Sequence, residues 1–167
     1  MPTGAQPSAI APSLKETLAR FCTGVVLITG RDGEEPVGFT AQSFVSVSLD
    51  PPLVSFCPAK TSESWPRIRR SGRFCVNVLS EAQQHLCFRF AEKGVERFEG
   101  VDWRPAPGGV PRVENALAWF DCDLEIEHEA GDHHIVIGRI SSFSAADQAD
   151  RAPLIFYRRQ LGRFSEL

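Results

Sequence analysis

Hydroxyl and apolar side chains interleave in the stretch GFTAQSFVSVSLDPP at residues 38–52. Thr40, Ser43, Ser46 and Ser48 supply hydroxyls, and Phe39, Phe44, Val45, Val47 and Leu49 supply apolar surface. From Val45 to Leu49 the alternation is strict, which on a strand separates the two kinds onto opposite faces. A hydroxyl-lined strand with free backbone groups suits a flat, polar, aromatic ligand; the plain alternative is an edge strand with a wet face. A second cluster, Cys57-Pro58-Ala59-Lys60-Thr61-Ser62, sets a lysine beside hydroxyls and the free N–H groups of a helix start. Together these make an anion pocket, unless Lys60 is only a solvated lysine beside an N-cap. A third is Gly131-Asp132-His133 at a strand start, with Tyr157 and Arg158 on a later strand. His133 is either a ligand-positioning group or an ordinary turn residue.

Other chemistries find little support. No GxGxxG follows a strand, so a dinucleotide site of the doubly wound kind is not expected. There is no GxSxG and no Walker-type phosphate-binding loop. His128, Asp132, His133 and His134 raise the question of a metal. Adjacent residues on a strand point to opposite faces, however, so His133 and His134 do not chelate together, and no metal is expected.

The chain has 167 residues, enough for one domain with a real core. Its net charge of −3 marks neither a nucleic-acid binder nor a membrane-surface binder. Five scattered cysteines without a CxxC fit buried thiols in a reduced, cytoplasmic protein better than a disulfide framework. Residues 1–12 lack a basic segment and an apolar core segment. They read as a flexible lead-in to a domain at 13–167, not as a signal peptide. No apolar run reaches membrane-spanning length.

The elements that must position these clusters follow from pattern. Ser13 and Glu16 form a capping box for a helix over 13–22, with Leu14, Leu18 and Phe21 on one face. Residues 25–29 are a β-branched, buried strand. Asp32-Gly33 centres a hairpin whose returning strand is the 38–52 stretch; Asp50-Pro51-Pro52 turns the chain. A strand over 53–57 is closed by Pro58. A second helix is capped by Ser62 or Ser64, tolerates Pro66 in its first turn and stops at Gly72. A strand over 74–79 and a helix over 80–90 follow, with Leu86, Phe90 and Cys87 inward. Residues 91–113 are loop-rich, but Phe98 and Trp103 indicate that they fold over something. In the strand over 116–129, Asp121, Asp123, Glu125 and Glu127 share one parity, and that acidic face is expected to meet solvent. Gly131-Asp132 turns into its antiparallel partner at 133–140, and 153–158 is the last strand. Strands with hairpin links and three short helices predict a mainly β, α+β fold: an antiparallel barrel with Greek-key or meander connections.

Five segments in this order resemble the short-chain flavin reductases, the NAD(P)H:flavin oxidoreductase components of two-component flavin-dependent monooxygenases. They are FCTGVVLIT (21–29), PVGFTAQSFVSVSLDPPLVSFCPAKTSESW (36–65), SGRFCVNVL (71–79), GDHHIVIGRI (131–140) and PLIFYR (153–158). The resemblance implies an FMN-binding split β-barrel and a homodimer with the site near the subunit interface. It implies that Phe39, Thr40, Ala41, Gln42, Ser43, Ser46, Val47 and Ser48 line the flavin ring and ribityl chain. Cys57, Pro58, Ala59 and Lys60, with Ser62, Glu63 and Ser64, would hold the phosphate end. Phe90 and Ala91 match a further flavin-contacting stretch. His133, Phe156, Tyr157, Arg158 and Arg159 match positions near the nicotinamide nucleotide, with His133 as the catalytic candidate. Two residues depart from the pattern: Gln42 stands where asparagine is common, and Arg159 where glycine is usual.

The activity this implies is hydride transfer from NADH or NADPH to FMN or FAD, with reduced flavin passed to a partner monooxygenase. That chemistry belongs to the two cofactors and demands no general acid or base, in keeping with the lack of an obvious one. A flavin-binding module or sensor without NADH turnover would use the same hydroxyl stretch. A pyridoxamine-phosphate-oxidase-like enzyme would need a basic cluster, where the sequence has scattered arginines.

Overall fold

A computed structural model describes residues 10–147 and 151–167. Helix α1 (Ile10–Leu18) leads into β1 (Thr23–Gly24), and β2 (Val26–Asp32) and β3 (Glu35–Ala41) form a hairpin. Strands β4 (Val45–Leu49) and β5 (Pro52–Phe56) follow, then α2 (Trp65–Ser71) and β6 (Arg73–Val78). A short 3-10 turn at Glu81–Gln83 precedes α3 (Gln84–Ala91). The small hairpin of β7 (Trp103–Pro105) and β8 (Pro111–Val113) leads to the long hairpin of β9 (Ala118–Ala130) and β10 (His133–Ala145). β11 (Leu154–Tyr157) and β12 (Gln160–Arg163) end the chain.

Seven strands form one antiparallel sheet in the order β3-β2-β6-β9-β10-β5-β4, and a three-stranded sheet is ordered β1-β11-β12. The non-sequential order is the crossed connection expected of an antiparallel split barrel, not a doubly wound sheet. β2 explains why its residues form an unbroken apolar run. Val26 and Ile28 pack into one core cluster with Phe56, Trp65, Phe74 and Val136. Leu27, with Val25 just before the strand, packs into a second cluster with Leu86, Cys87 and Phe90. A strand covered on both faces has no polar face to show.

The structure alters four expectations. α1 already includes Ile10, so Ser13 lies within the helix and not at its first position, and the helix ends at Leu18. Its apolar face is uncovered, with Leu14, Leu18 and Phe21 all more than half exposed. The hairpin turn falls on Gly33-Glu34, because Asp32 already pairs with Glu35; Gly33 takes a positive φ of 62°, which glycine adopts without strain. The 38–52 stretch is two strands at opposite edges of the sheet, β3 and β4, with residues 42–44 between them. The apolar side chains of β4 are not inward: Val45, Val47 and Leu49 are 55%, 49% and 90% exposed, and a bulge between Ser46 and Ser48 breaks the alternation.

The acidic face of β9 is the fourth. Asp121 is fully buried. The backbone N–H of Gly108 donates to its carboxylate, and Arg73 Nη2 lies 3.4 Å from the other oxygen. The β7–β8 hairpin covers it, with Ala106 and Val110 clustered against Cys75 and Trp119. Further along, Asp123 pairs with Arg73, Glu125 with Arg139 and Glu127 with Arg69. The 91–113 segment thus folds over β6 and β9, and Phe98 meets Phe90 and Trp103 edge to face.

Phe56 holds the main core together. Its ring is fully buried and makes edge contacts with Trp65 at 5.2 Å and Phe74 at 5.1 Å; it also meets Phe39 at 6.2 Å. Phe56→Ala removes a buried ring and leaves a cavity, so it is expected to lower the unfolding free energy by about 3–5 kcal/mol. Urea titration checks this; a loss below about 1 kcal/mol would show that the cluster is not supporting the fold.

Candidate functional site

The cleft forms where the sheet is interrupted. Residues 42–44 leave β3 without yet entering β4. Their backbone groups therefore lie outside any ladder, and groups of that kind must find partners elsewhere. Facing them is the turn after β5, closed when the N–H of Ser62 donates to Ala59 O at 2.9 Å. A third wall comes from far along the chain. Lys60 N donates to Asp132 O, and His134 N to Pro58 O, both at 2.9 Å. Between them Ala59 and His133 form an antiparallel bridge. These bonds tie the tip of the β9–β10 hairpin to the 57–62 turn.

The result is a cleft of about 410 Å³ lined by Phe39, Thr40, Ala41, Gln42, Ser43, Cys57, Pro58, Ala59, Ser62 and His133. Part of each of the three sequence clusters meets here: residues 39–43, four residues of the 57–62 turn, and His133. Several polar groups are already engaged. Thr40 Oγ1 donates to Cys87 O of α3 at 2.7 Å, so its lone pairs are what remain for a ligand. Ser43 Oγ accepts from Cys57 N at 2.8 Å, which fixes one wall to the other. Ser62 Oγ accepts from Trp65 N, the first N–H of α2, at 3.1 Å, whereas Ser64 at the N-cap position makes no side-chain cap. Thr23 Oγ1 approaches Gln42 Oε1 at 3.5 Å.

Other sequence-marked residues lie outside this lining. Ser46, Val47 and Ser48 sit on the β4 edge. Lys60 falls between two lining residues, yet its ammonium is on Glu129, 3.2 Å from Oε2. Ser64 is buried; its hydroxyl donates to Gly38 O at 3.2 Å and accepts from Arg97, so both capacities are used within the fold. With Glu63 it borders a separate cavity of about 340 Å³ beside Arg67 and Arg97. Phe90 is fully buried in the second core cluster. It lies so close to Gly38 that a Cβ there would meet its ring at 2.8 Å. Ala91 is exposed at the end of α3. Phe156 pairs with Thr23 across β1 and β11, while Tyr157 ends β11 opposite Gln160 and Arg158 and Arg159 form the β11–β12 turn. There φ is 50° at Arg158 and 64° at Arg159, which accounts for the glycine usual at the second position. The chain by itself does not bring this turn to the cleft.

Sequence reasoning missed Glu129 and Arg97. Nothing local links Glu129 to Lys60; only the hairpin register does. Arg97 donates to Gly38 O at 2.8 Å and to Glu92 O. Its signal was an arginine beside Phe98 in a segment already expected to cover something. Among the described residues no cluster of three or more potential ligands could hold a metal ion.

The donor set suits a flavin: hydroxyl and amide groups along the wall, an apolar ring at Phe39, a cation at the rim and no fixed charge in the lining. An antiparallel split barrel with such a cleft defines a class of flavin-handling proteins. The comparisons make this specific. Residues 18–165 match the flavin reductase like domain, and the chain belongs to that family. It is 51% identical over 146 residues to the reductase subunit HsaB of a flavin-dependent monooxygenase from Rhodococcus jostii, covering 87% of this chain and 74% of that one. The crystal structure of nitrilotriacetate monooxygenase component B from Mycobacterium thermoresistibile superposes with a TM-score of 0.93 at 42% identity, over 96% of this chain and 89% of that one. The NADH:FAD oxidoreductase SgcE6 from Streptomyces globisporus does so with a TM-score of 0.86 at 32% identity, over 99% and 100%.

Asp132 Oδ1 lies 2.7 Å from His133 Nδ1. That hydrogen bond, helped by the charge of His133 and more weakly by Lys60, holds the carboxyl of Asp132 below its ordinary value of 3.8. A lowered carboxyl favours the folded state above its ordinary pKa, and the contribution is lost as pH falls through the lowered value. Carbon-detected NMR titration is expected to place the Asp132 midpoint below 3.8 in the native protein and nearer to it in His133→Ala. Coincident midpoints in the two proteins would remove the interaction.

Proposed function

We propose that the chain is the reductase component of a two-component flavin-dependent monooxygenase: an NAD(P)H:flavin oxidoreductase that supplies reduced flavin to an oxygenase partner. The observation that carries this is the single cleft in which the 39–43 stretch, the 57–62 turn and His133 converge. When bound, the nicotinamide and the flavin supply the hydride chemistry themselves. The protein's part is to hold two flat rings in register and keep water from between them. Residues 39–43 offer one wall through their backbone groups and the lone pairs of Thr40. The 57–62 turn closes the phosphate end, with Lys60 at its rim. His133, oriented by Asp132, offers its other ring nitrogen to the nicotinamide side.

Two finer points belong to this reading. The uncovered apolar flank of β4 supports association of two copies, which would bring a second chain to the cleft. The five cysteines are free thiols, which suits a reducing compartment such as the cytoplasm. Among the described residues no helix is long and apolar enough to cross a membrane. Light scattering is expected to give twice the chain mass of 18.4 kDa; a single-chain mass at micromolar concentration would remove the dimer.

Added FMN or FAD is expected to bleach under anaerobic conditions when NADH is supplied with catalytic protein. A flavin store without turnover leaves the flavin yellow and defeats the proposal. His133→Ala loses about one hydrogen bond to the nucleotide, so the KM for NADH is expected to rise roughly five-fold, with the flavin KM little changed. A change confined to the flavin KM would place His133 on the wrong ligand.

A further inference from the structure

The cation best placed to hold an anionic ligand end is already held by the protein. Lys60 falls between Ala59 and, two residues on, Ser62, both in the cleft lining, and its ammonium lies 3.2 Å from the Glu129 carboxylate. Two main-chain hydrogen bonds tie the 57–62 turn to residues 132 and 134, and Glu129 pairs with His134 across the hairpin. The backbone therefore delivers this carboxylate to this lysine; the pair is not a chance meeting of two free side chains. The same lysine contributes to lowering the Asp132 carboxyl, so two acidic groups of one hairpin tip share it.

From this placement we infer that Glu129 competes with the phosphate end of the flavin for Lys60, and so sets how readily the flavin leaves. The inference rests on reading Lys60 as the phosphate contact. A carboxylate and a phosphate monoester are alternative partners for one ammonium. The gain from binding the phosphate is reduced by the pair it must break. Both partners are at least partly exposed, Lys60 by 37% and Glu129 by 80%. Water screens such a pair, so it yields to a dianion but still weakens its hold. A flavin held in this way behaves as a diffusing substrate, as a reductase that hands its product to another protein requires.

The test is equilibrium binding of FMN and of riboflavin, read by flavin fluorescence without NADH. The proteins are the native chain, Glu129→Gln, Lys60→Ala, the double variant and Glu125→Gln. Glu125 lies on the same strand, its substitution changes the net charge equally, and it is paired with Arg139 instead. Glu129→Gln is expected to tighten FMN about two- to five-fold with riboflavin unchanged. The gain is expected to vanish in the double variant and to be absent in Glu125→Gln. If Lys60→Ala abolishes the preference for FMN over riboflavin but Glu129→Gln leaves FMN unchanged, competition is wrong and the phosphate contact stands. A preference that survives Lys60→Ala removes the phosphate contact and the inference with it. Equal tightening of riboflavin, or an equal effect in Glu125→Gln, would reduce the role of Glu129 to bulk charge and overturn the inference.

Discussion

The site exists because two main-chain segments some seventy residues apart are tied backbone to backbone. The Lys60–Asp132 and Pro58–His134 hydrogen bonds, with the Ala59–His133 bridge between them, extend the β5–β10 ladder beyond its last regular pair, Val136 with Phe56. No side chain specifies this contact. It follows from the register of the β10 strand, which the buried pairs further along it fix through Val136 and its cluster. A slip of one residue would turn every side chain of β10 to the other face. His133 would then leave the cleft, and Glu129 would leave Lys60. The precision of the site is thus a consequence of the core, and loop closure over so long a segment adds only slowly to its entropic cost.

The other constraint is the interruption of the sheet. β3 and β4 are consecutive in sequence but occupy opposite edges. The three residues between them must cross that gap, and they do so with backbone groups that no neighbouring strand satisfies. Ser43 is used to pin this crossing to Cys57, and Thr40 pins the end of β3 to α3. Hydroxyls that read as ligand-facing are therefore first of all structural. They fix a wall whose remaining lone pairs and main-chain groups are available.

This explains what was legible in the sequence and what was not. The ten lining residues all fall in stretches marked by hydroxyls, Gly or Pro, because those residues punctuate strands at the points where a backbone opens. The buried acid was misread for a definite reason. Parity assigned Asp121 to a face, but only the β7–β8 hairpin, invisible as strands in a Gly- and Pro-rich segment, shows that this face is covered. Ser64 and Phe90 were marked by family resemblance and prove to be fully engaged inside the fold. Lys60 was legible as a cation beside the cleft stretches, but its carboxylate partner Glu129 is specified by hairpin register alone. The helix start was misplaced because Ser13 and Glu16 satisfy a capping pattern, while the helix already includes Ile10.

The distribution of charge around the cleft bears on what kind of flavin protein this is. None of the ten lining residues is a carboxylate, lysine or arginine. Fixed charges sit at the rim instead, as Lys60, Glu129 and Asp132, where Lys60 pairs with Glu129 and Asp132 with His133. An uncharged wall gives little electrostatic preference between a flavin ring before and after reduction, whereas a lysine or carboxylate against the ring would favour one state. In the proposed reading, affinity then rests on shape, neutral hydrogen bonds and a rim cation that already has a carboxylate partner. Such a cleft can accept the flavin in one redox state and release it in the other with similar ease. A resident prosthetic group would call for the opposite arrangement, with the cation free of internal partners and committed to the phosphate.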